Sequence, residues 1–204
     1  LRTPMTSIVG YVDLLMNESA GILGEMQRKF LQRVSANVVR LTSMIEDLTR
    51  ITTLDAGRFV LVPDRVDVVE VIEDAITAAS TTLSEKGLIV HLDLEDSMPP
   101  ARADEEAITQ IVGQLLTNAY LASPPGGEVF VSARRDTRQA RRGVADRVLV
   151  SIEDRGGGIA PEDQSRVFAR KYKAENPLIQ GLGDTGVGLA IARALVEAHG
   201  GEIW

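Results

Sequence analysis

The segment that most constrains the fold of this chain is Asp154-Arg155-Gly156-Gly157-Gly158-Ile159. It follows the apolar run at residues 148–152, which predicts a buried strand. Gly156 and Gly158 would let the backbone approach a flat ligand without a Cβ clash. An ordinary Asp-x-Gly turn has the same residues, so the segment alone identifies no function.

Two other motifs flank this segment in the chain. The first is Gln114-Leu115-Leu116-Thr117-Asn118-Ala119, inside a predicted helix over 104–121 that Asp104 caps. Gln114 and Asn118 are four residues apart and therefore share one face of that helix. The second motif is Gly183-Asp184-Thr185-Gly186-Val187-Gly188-Leu189, which leads into a predicted helix over 186–199. Glycines at a helix N-terminus expose N–H groups to an anion, and the helix dipole adds to the attraction.

Composition excludes several classes of protein. The 204 residues carry a formal net charge of -7, which argues against a nucleic-acid partner. The absence of cysteine excludes disulfides, thiolate metal sites and cysteine nucleophiles, and it fits a reducing compartment. No apolar run approaches the ~20 residues that span a bilayer. We interpret the chain as a piece of a longer parent protein and expect a cytoplasmic location for this piece. Whether the parent has a membrane anchor stays open.

The first quarter of the chain predicts two helices, over 3–18 and 24–55. Each has apolar residues at steps of three and four. These are Met5, Ile8, Val9, Val12, Leu15 and Met16 in the first helix, and Phe30, Val34, Val38, Leu41, Ile45 and Leu48 in the second. Two helices alone cannot cover both stripes, which favours pairing with a second copy as a four-helix bundle. A long helix inside a monomeric globule is the alternative.

After Gly57 the pattern changes to mixed helix and strand. We predict strands over 59–62, 88–94, 128–134, 147–153 and 202–204, with the third and fourth paired. We predict helices over 68–86, 104–121, 161–168 and 186–199. This mixture predicts an α+β fold, a two-layer sandwich with one layer of helices and one of strands.

The three motifs, together with the opening Leu1-Arg2-Thr3-Pro4, resemble the catalytic core of sensor histidine kinases. The ATP-binding domain of that family belongs to the gyrase and histidine kinase ATPase superfamily. The opening resembles the end of the family's H-box, H-E-L-R-T-P, which would place the acceptor histidine just before Leu1. The resemblance implies a dimerising phosphotransfer hairpin at 1–56 and an ATP-binding domain at 57–204, with its last strands beyond Trp204.

The resemblance also implies ATP and Mg²⁺ as cofactors, with a specific role for a few residues. Asn118 matches the magnesium ligand, and Asp154 matches the carboxylate that accepts the exocyclic amine of adenine. Residues 169–185 match the lid over ATP. Thr3 matches a residue that orients a hydrolytic water in members with phosphatase activity. The residues assigned to the nucleotide are Gln114, Asn118, Asp154, Gly156, Gly158, Ile159, Lys171, Tyr172, Thr185, Gly186, Val187, Gly188 and Leu189.

The chain departs from the family pattern N-L-L-x-N-A-x-K-Y at three positions. Gln114 replaces the first Asn, Leu121 the Lys and Ala122 the Tyr, while Asp184 replaces the first glycine of the later motif. Loss of the Lys removes a cation near the phosphates, for which Arg170, Lys171 or Lys173 are candidate replacements. Because of these departures, a degenerate nucleotide sensor or scaffold without catalytic activity remains an alternative function for this chain.

The function that the resemblance implies is that of a two-component histidine kinase. Such a protein transfers a phosphoryl group from ATP to a His and then to an Asp of a response-regulator receiver domain, as a homodimer joined by the hairpin. Another ATPase of the superfamily, or an anti-sigma serine kinase, would lack that hairpin. His91 and His199 have neither metal-ligand spacing nor an H-box around them, and we predict structural roles for both.

Overall fold

The computed structural model describes residues 2–16, 23–55, 60–137, 146–169 and 186–204. The chain divides into two compact units, Leu1–Arg58 and Phe59–Trp204. Within the described ranges, no helix has both the length and the apolar character needed to cross a membrane.

The first unit consists of two packed helices, α1 (Arg2–Met16) and α2 (Glu25–Asp55). Met5, Val12 and Val38 are buried, and the Thr42 hydroxyl lies 3.9 Å from the sulfur of Met5. Much of the predicted apolar stripe nevertheless remains exposed in the single chain. Among the described side chains of this unit, the large exposed apolar residues are Ile8, Tyr11, Leu14, Leu15, Met26, Phe30, Val34 and Leu41.

The second unit contains five strands and three helices among its described residues. The strands are β1 (Asp64–Val66), β2 (Ile89–Leu94), β3 (Ala101–Ala103), β4 (Glu128–Asp136) and β5 (Arg147–Asp154). The helices are α3 (Val68–Glu85), α4 (Glu105–Ala122) and α5 (Gly188–Ala198). Strands β2, β4 and β5 form one sheet in that order, with β2 parallel and β5 antiparallel to β4. Strands β1 and β3 form a separate antiparallel pair.

The core of the second unit lies between the sheet and the helices. Side chains alternate between the two faces of a strand, and Val129, Val131 and Ala133 of β4 all point to the buried face. They pack in one cluster with Ile72 of α3 and Leu116 of α4. The predicted α+β arrangement is therefore confirmed, with helices on one face of the sheet.

Two aspartates start the helices that frame this core. Asp67 caps α3, where its side chain accepts hydrogen bonds from the N–H groups of Val69 and Glu70. Asp104 caps α4 as predicted, where Oδ1 accepts from the Ala107 N–H at 3.0 Å. Its other oxygen, Oδ2, accepts from the Val62 N–H at 2.9 Å. Asp104 therefore joins the start of α4 to the segment that precedes β1.

Three predicted elements are wrong. Phe59 lies outside the described residues, and Val60 to Val62 form no strand, because the Val62 N–H bonds to Asp104 rather than to a neighbouring strand. The predicted helix over 161–168 is a succession of turns, in which three of the four backbone hydrogen bonds join residues three apart. Residues 202–204 form no strand with any described partner, and Glu202 instead pairs with Arg147. Strand β3 was not predicted, because three residues are too short for a pattern.

Replacing Asp104 by Ala is expected to lower the free energy of unfolding by about 1–2 kcal/mol at neutral pH, since a helix cap is lost. The hydrogen bonds from the Val62 and Ala107 N–H groups hold the pKa of Asp104 below its usual 3.8. A lowered folded pKa means that this stabilisation is complete above 3.8 and is lost as pH falls through the lower folded value. Urea unfolding of both proteins across acid pH measures the difference.

The matched control for this prediction is Asp104→Asn, which keeps an acceptor oxygen at the cap without a titrating charge. It should retain most of the stability at neutral pH, and its stability should not change with the titration of this position. If wild type and Asp104→Ala still differ by the same free energy of unfolding at strongly acid pH, the role assigned to the carboxylate is wrong.

Candidate functional site

Three segments that are far apart in the chain meet around the second half of α4. Helix α4 packs against both β5 and α5. A Cβ atom added to Gly156 would lie 2.5 Å from the carbonyl oxygen of Ala122, at the end of α4. A Cβ atom added to Gly188 would collide with Oε1 of Gln114, on the same helix. The structure therefore brings together the three motifs singled out in the sequence.

Asp154 is the last residue of β5 and is half-buried. Its Oδ1 accepts a hydrogen bond from the Gly156 N–H at 2.8 Å, which forms the Asp-x-Gly turn. No described residue donates a hydrogen bond to its other oxygen, Oδ2, which can therefore accept one from a ligand. Asp154 can form the turn and bind a ligand at the same time, because each role uses a different oxygen of its carboxylate.

The loop after Asp154 depends on two glycines for different reasons. Gly156 lies so close to Ala122 that a side chain would strike rigid backbone. Gly158 has open space around it, but its φ of 70° lies in the left-handed region that favours glycine. Ile159 follows with 43% of its surface exposed, at the edge of this loop.

Helix α5 begins at Gly188, next to Gln114. Its N-cap residue is Val187, which provides no side-chain hydrogen bond to the first turn. The first N–H groups of a helix have no partner within the helix, and an anion can satisfy them. The beginning of α5 therefore has the backbone chemistry of an anion site, and the half-buried Leu189 and Gln114 lie beside it.

Asn118 lies one turn after Gln114 on α4 and is half-buried. Among the described residues, none forms a hydrogen bond with its side-chain amide, so the oxygen is available to a ligand. Mg²⁺ prefers oxygen ligands and usually takes only one or two from protein, with phosphates and water as the others. A single amide oxygen on this helix fits a magnesium ion that is bound together with phosphates.

Comparisons with known proteins give a consistent assignment. Residues 103–204 match the family described as histidine kinase-, DNA gyrase B- and HSP90-like ATPase, and residues 1–57 match the His Kinase A (phospho-acceptor) domain. The circadian input-output histidine kinase CikA of Synechococcus elongatus is 29% identical over 209 residues, which cover 100% of this chain and 26% of CikA. The chain belongs to the sensor histidine kinase family.

Two further similarities agree with this family. The non-motile and phage-resistance protein of Caulobacter vibrioides is 31% identical over 206 residues, covering 100% of this chain and 24% of that protein. The full-length ShkA crystallised with AMPPNP has a TM-score of 0.74 at 26% identity, covering 98% of this chain and 39% of ShkA. The chain thus spans about a quarter of the length of these two curated relatives.

Several residues that the sequence assigned to the site of this histidine kinase core cannot be placed in it. Lys171, Tyr172 and Thr185 lie outside the described residues, as does Asp184. Thr3 is in α1, in the other compact unit, and its side chain is not described. The roles given to all site residues therefore stay predictions.

Sequence reasoning missed Lys86, which lies at the end of α3 and reaches the end of α4. Its ammonium donates hydrogen bonds to the carbonyl oxygens of Tyr120 and Leu121 and lies 4.7 Å from the centre of the Tyr120 ring. Burial lowers the pKa of Lys86. Leu121, at the family's Lys position, is buried. No spacing rule connects positions 34 residues apart, so only the packing of α3 on α4 reveals this contact.

The aromatic rings of Phe168 and His91 each make a described contact. Phe168 is half-buried, and its ring lies 6.0 Å from the guanidinium of Arg193 on α5. His91 stacks on Phe130 with ring centres 4.6 Å apart, and its Nε2 lies 2.9 Å from a carboxylate oxygen of Glu128. These contacts place His91 on the exposed outer face of the sheet.

Proposed function

We propose that this chain is the catalytic core of a two-component histidine kinase that binds Mg-ATP for phosphoryl transfer. The observation that supports the proposal is the meeting of three motifs on α4. Asp154, the uncapped start of α5 and the Asn118 amide all lie around this one helix. An ATP molecule needs an acceptor for its adenine amine, donors for its phosphates and an oxygen ligand for its metal, and these three groups meet those needs.

In this proposal each group has one task. Oδ2 of Asp154 accepts the exocyclic amine of adenine, which guanine lacks at that position. The N–H groups of α5 from Gly188 onward hold the phosphates. Asn118 provides an oxygen for Mg²⁺, which neutralises charge that develops on the transferred phosphoryl group.

The phosphotransfer step is proposed by family resemblance. An imidazole nitrogen of a histidine upstream of Leu1, assisted by the neighbouring Glu as base, forms a bond to the γ-phosphorus as the bond to the ADP oxygen breaks. The phosphoryl group then passes to an Asp of a response-regulator receiver domain. Thr3, one turn from that histidine, is proposed to orient the water that hydrolyses the aspartyl phosphate of the response regulator.

A cytoplasmic location of this chain stays an expectation.

Homodimer formation through the first unit is part of the proposal. Tyr11, Leu14 and Phe30 are 68%, 56% and 56% exposed in the single chain. Exposed apolar area of this kind on two packed helices marks an interaction surface. A second copy that supplies two more helices would bury it as a four-helix bundle.

The second candidate function is a degenerate nucleotide sensor or scaffold. The observation that favours it is Leu121, which is buried where the family has a Lys, so the family's cation is absent from this position. A scaffold would bind nucleotide without using Mg²⁺ and would not support phosphorylation. Phosphorylation of a longer chain that includes the upstream histidine separates the two functions.

Titration of the chain with AMPPNP, with and without Mg²⁺, tests the proposal. Mg²⁺ is expected to tighten binding by about tenfold or more, an effect of the size of one charge-assisted contact. Asn118→Ala should lose most of this Mg²⁺ dependence, because it removes the proposed ligand while leaving α4 a good helix. Isothermal titration calorimetry measures both affinities.

Thr117→Ala is the matched control for Asn118→Ala. Thr117 is the exposed neighbour of Asn118, and its hydroxyl bonds only to the Gly113 carbonyl oxygen within the described residues. This variant should keep the Mg²⁺ dependence of wild type. Binding that is indifferent to Mg²⁺ in wild type, or an equal loss in both variants, would remove the support for Asn118 as the metal ligand.

A further inference from the structure

His199, just after α5, connects two helices through both of its ring nitrogens. Nε2 lies 3.0 Å from the Asp104 backbone nitrogen, at the start of α4, and Nδ1 lies 2.7 Å from the Leu195 carbonyl oxygen of α5. A backbone N–H can only donate, so Nε2 must accept and the ring proton must lie on Nδ1. The Leu195 carbonyl is the acceptor that this tautomer requires. His199 is therefore neutral in this arrangement.

This link is a directional contact between the start of α4 and the end of α5. A second contact is at the opposite end of α5, where Gly188 touches Gln114. At 1.5 Å per residue, Asp104 and Gln114 are about 15 Å apart along α4, and Gly188 and His199 are about 16 Å apart along α5. The two helices therefore run antiparallel, with one of these contacts at each end of α5.

We propose that His199 is a positioning residue for the nucleotide site, holding α5 at the register on α4 that the site needs. The inference rests on the proposed function, because it concerns the two helices assigned to the phosphates and to the metal. The start of α5 would hold the phosphates, and Asn118 of α4 would hold the metal. Their separation depends on the register of the two helices.

Apolar packing between the helices cannot supply this register by itself. Ile191 and Leu195 of α5 are 0% and 1% exposed, but hydrophobic contact is not directional and tolerates small shifts. A hydrogen bond constrains both distance and angle. The contact at the Gly188 end is with the flexible Gln114 side chain, which can adjust its position. Loss of the His199 link therefore frees α5 to shift along α4 and to change its distance from Asn118.

Two substitutions separate the bond between the helices from the bond within α5. Gln places Oε1 at the position of Nε2, so His199→Gln can still accept from the Asp104 N–H. Asn places a donor at the position of Nδ1, so His199→Asn can still bond to the Leu195 carbonyl but cannot reach Asp104. His199→Asn should weaken AMPPNP binding in the presence of Mg²⁺ by about five- to tenfold, as expected for one hydrogen bond. His199→Gln should bind within about twofold of wild type.

The measurement is calorimetric titration of the full chain, with urea unfolding of each variant. Asp67→Ala is the control for stability alone, because it removes the cap of α3, which carries none of the three motifs. It should lose stability and keep wild-type affinity. Equal affinity of His199→Asn and wild type, or an equal loss in the Asn and Gln variants, would overturn the positioning role while leaving the proposed function intact. Failure of wild type itself to bind AMPPNP would overturn both.

Discussion

Replacing Asp154 by Asn is expected to weaken binding of AMPPNP by at least about 100-fold, and this is the largest effect that we predict. The carboxylate oxygen Oδ2 would be the acceptor for the adenine amine. In the variant an amide NH₂ group can face that amine, and two donors cannot satisfy each other. A buried polar group left unpaired costs more than the hydrogen bond contributed.

The variant should stay folded, which makes the measurement easy to interpret. Oδ1 of Asp154 accepts from the Gly156 N–H, and the amide oxygen of Asn can do the same, so the turn is kept. Glu153→Gln is the matched control, because Glu153 is the exposed neighbour that pairs with Arg155 on the surface. It should bind AMPPNP as wild type does. Undiminished binding by Asp154→Asn would remove the adenine role of this residue.

Replacing Gly156 by Ala is expected to have the second largest effect, on binding and on stability together. The added Cβ would lie 2.5 Å from the Ala122 oxygen, 2.9 Å from the Ala122 carbonyl carbon and 2.7 Å from Oδ1 of Asp154. The two Ala122 atoms belong to the backbone at the end of α4 and cannot yield as a side chain can, so the loop must move away from α4. Forcing extra atoms into a packed site costs about 1–3 kcal/mol. We expect a loss of that size in unfolding free energy and a weakening of AMPPNP binding of about tenfold or more.

Two other glycines on the same helix pair provide controls. Gly113 of α4 has no atom within 4 Å of an added Cβ, so Gly113→Ala should stabilise the helix by about 0.5–1 kcal/mol. Gly188→Ala would strike only the end of the flexible Gln114 side chain, so its effect should be smaller than that of Gly156→Ala. Denaturant unfolding and calorimetry rank the three variants. If Gly156→Ala is as stable as wild type, the loop can accommodate a Cβ atom at position 156 and the predicted clash with α4 is wrong.

Most elements of the second unit were predictable because their signals are local. Asp104 was identified as a cap from its position before an apolar periodic run, and it caps α4. The strands predicted over 128–134 and 147–153 were expected to pair, and the structure confirms that β4 pairs with β5. The strand predicted over 59–62 fails where a distant group captures a backbone N–H, as Asp104 does with Val62. No local pattern can show such a competitor.

The sequence predicted which residues belong to the candidate site but not how those residues are arranged in space. The sequence named Gln114, Asn118, Asp154 and the glycines as one set. It could not tell that Gly156 touches the end of α4, or that Gly188 touches Gln114. It predicted a structural role for His199 at the end of a helix but not the link to Asp104. That bond joins residues 95 apart, and its existence depends on how two helices pack.

The sequence by itself determined the family and the order of the elements, because motifs, caps and periodicity are properties of neighbouring residues. It also determined which residue types are available for a nucleotide and a metal. Only the tertiary structure decided the contacts among them: which oxygen of Asp154 is occupied, where Lys86 caps α4, and how α5 is held in register. These depend on distances between segments that the chain separates by tens of residues, and packing of the helices on the sheet sets those distances.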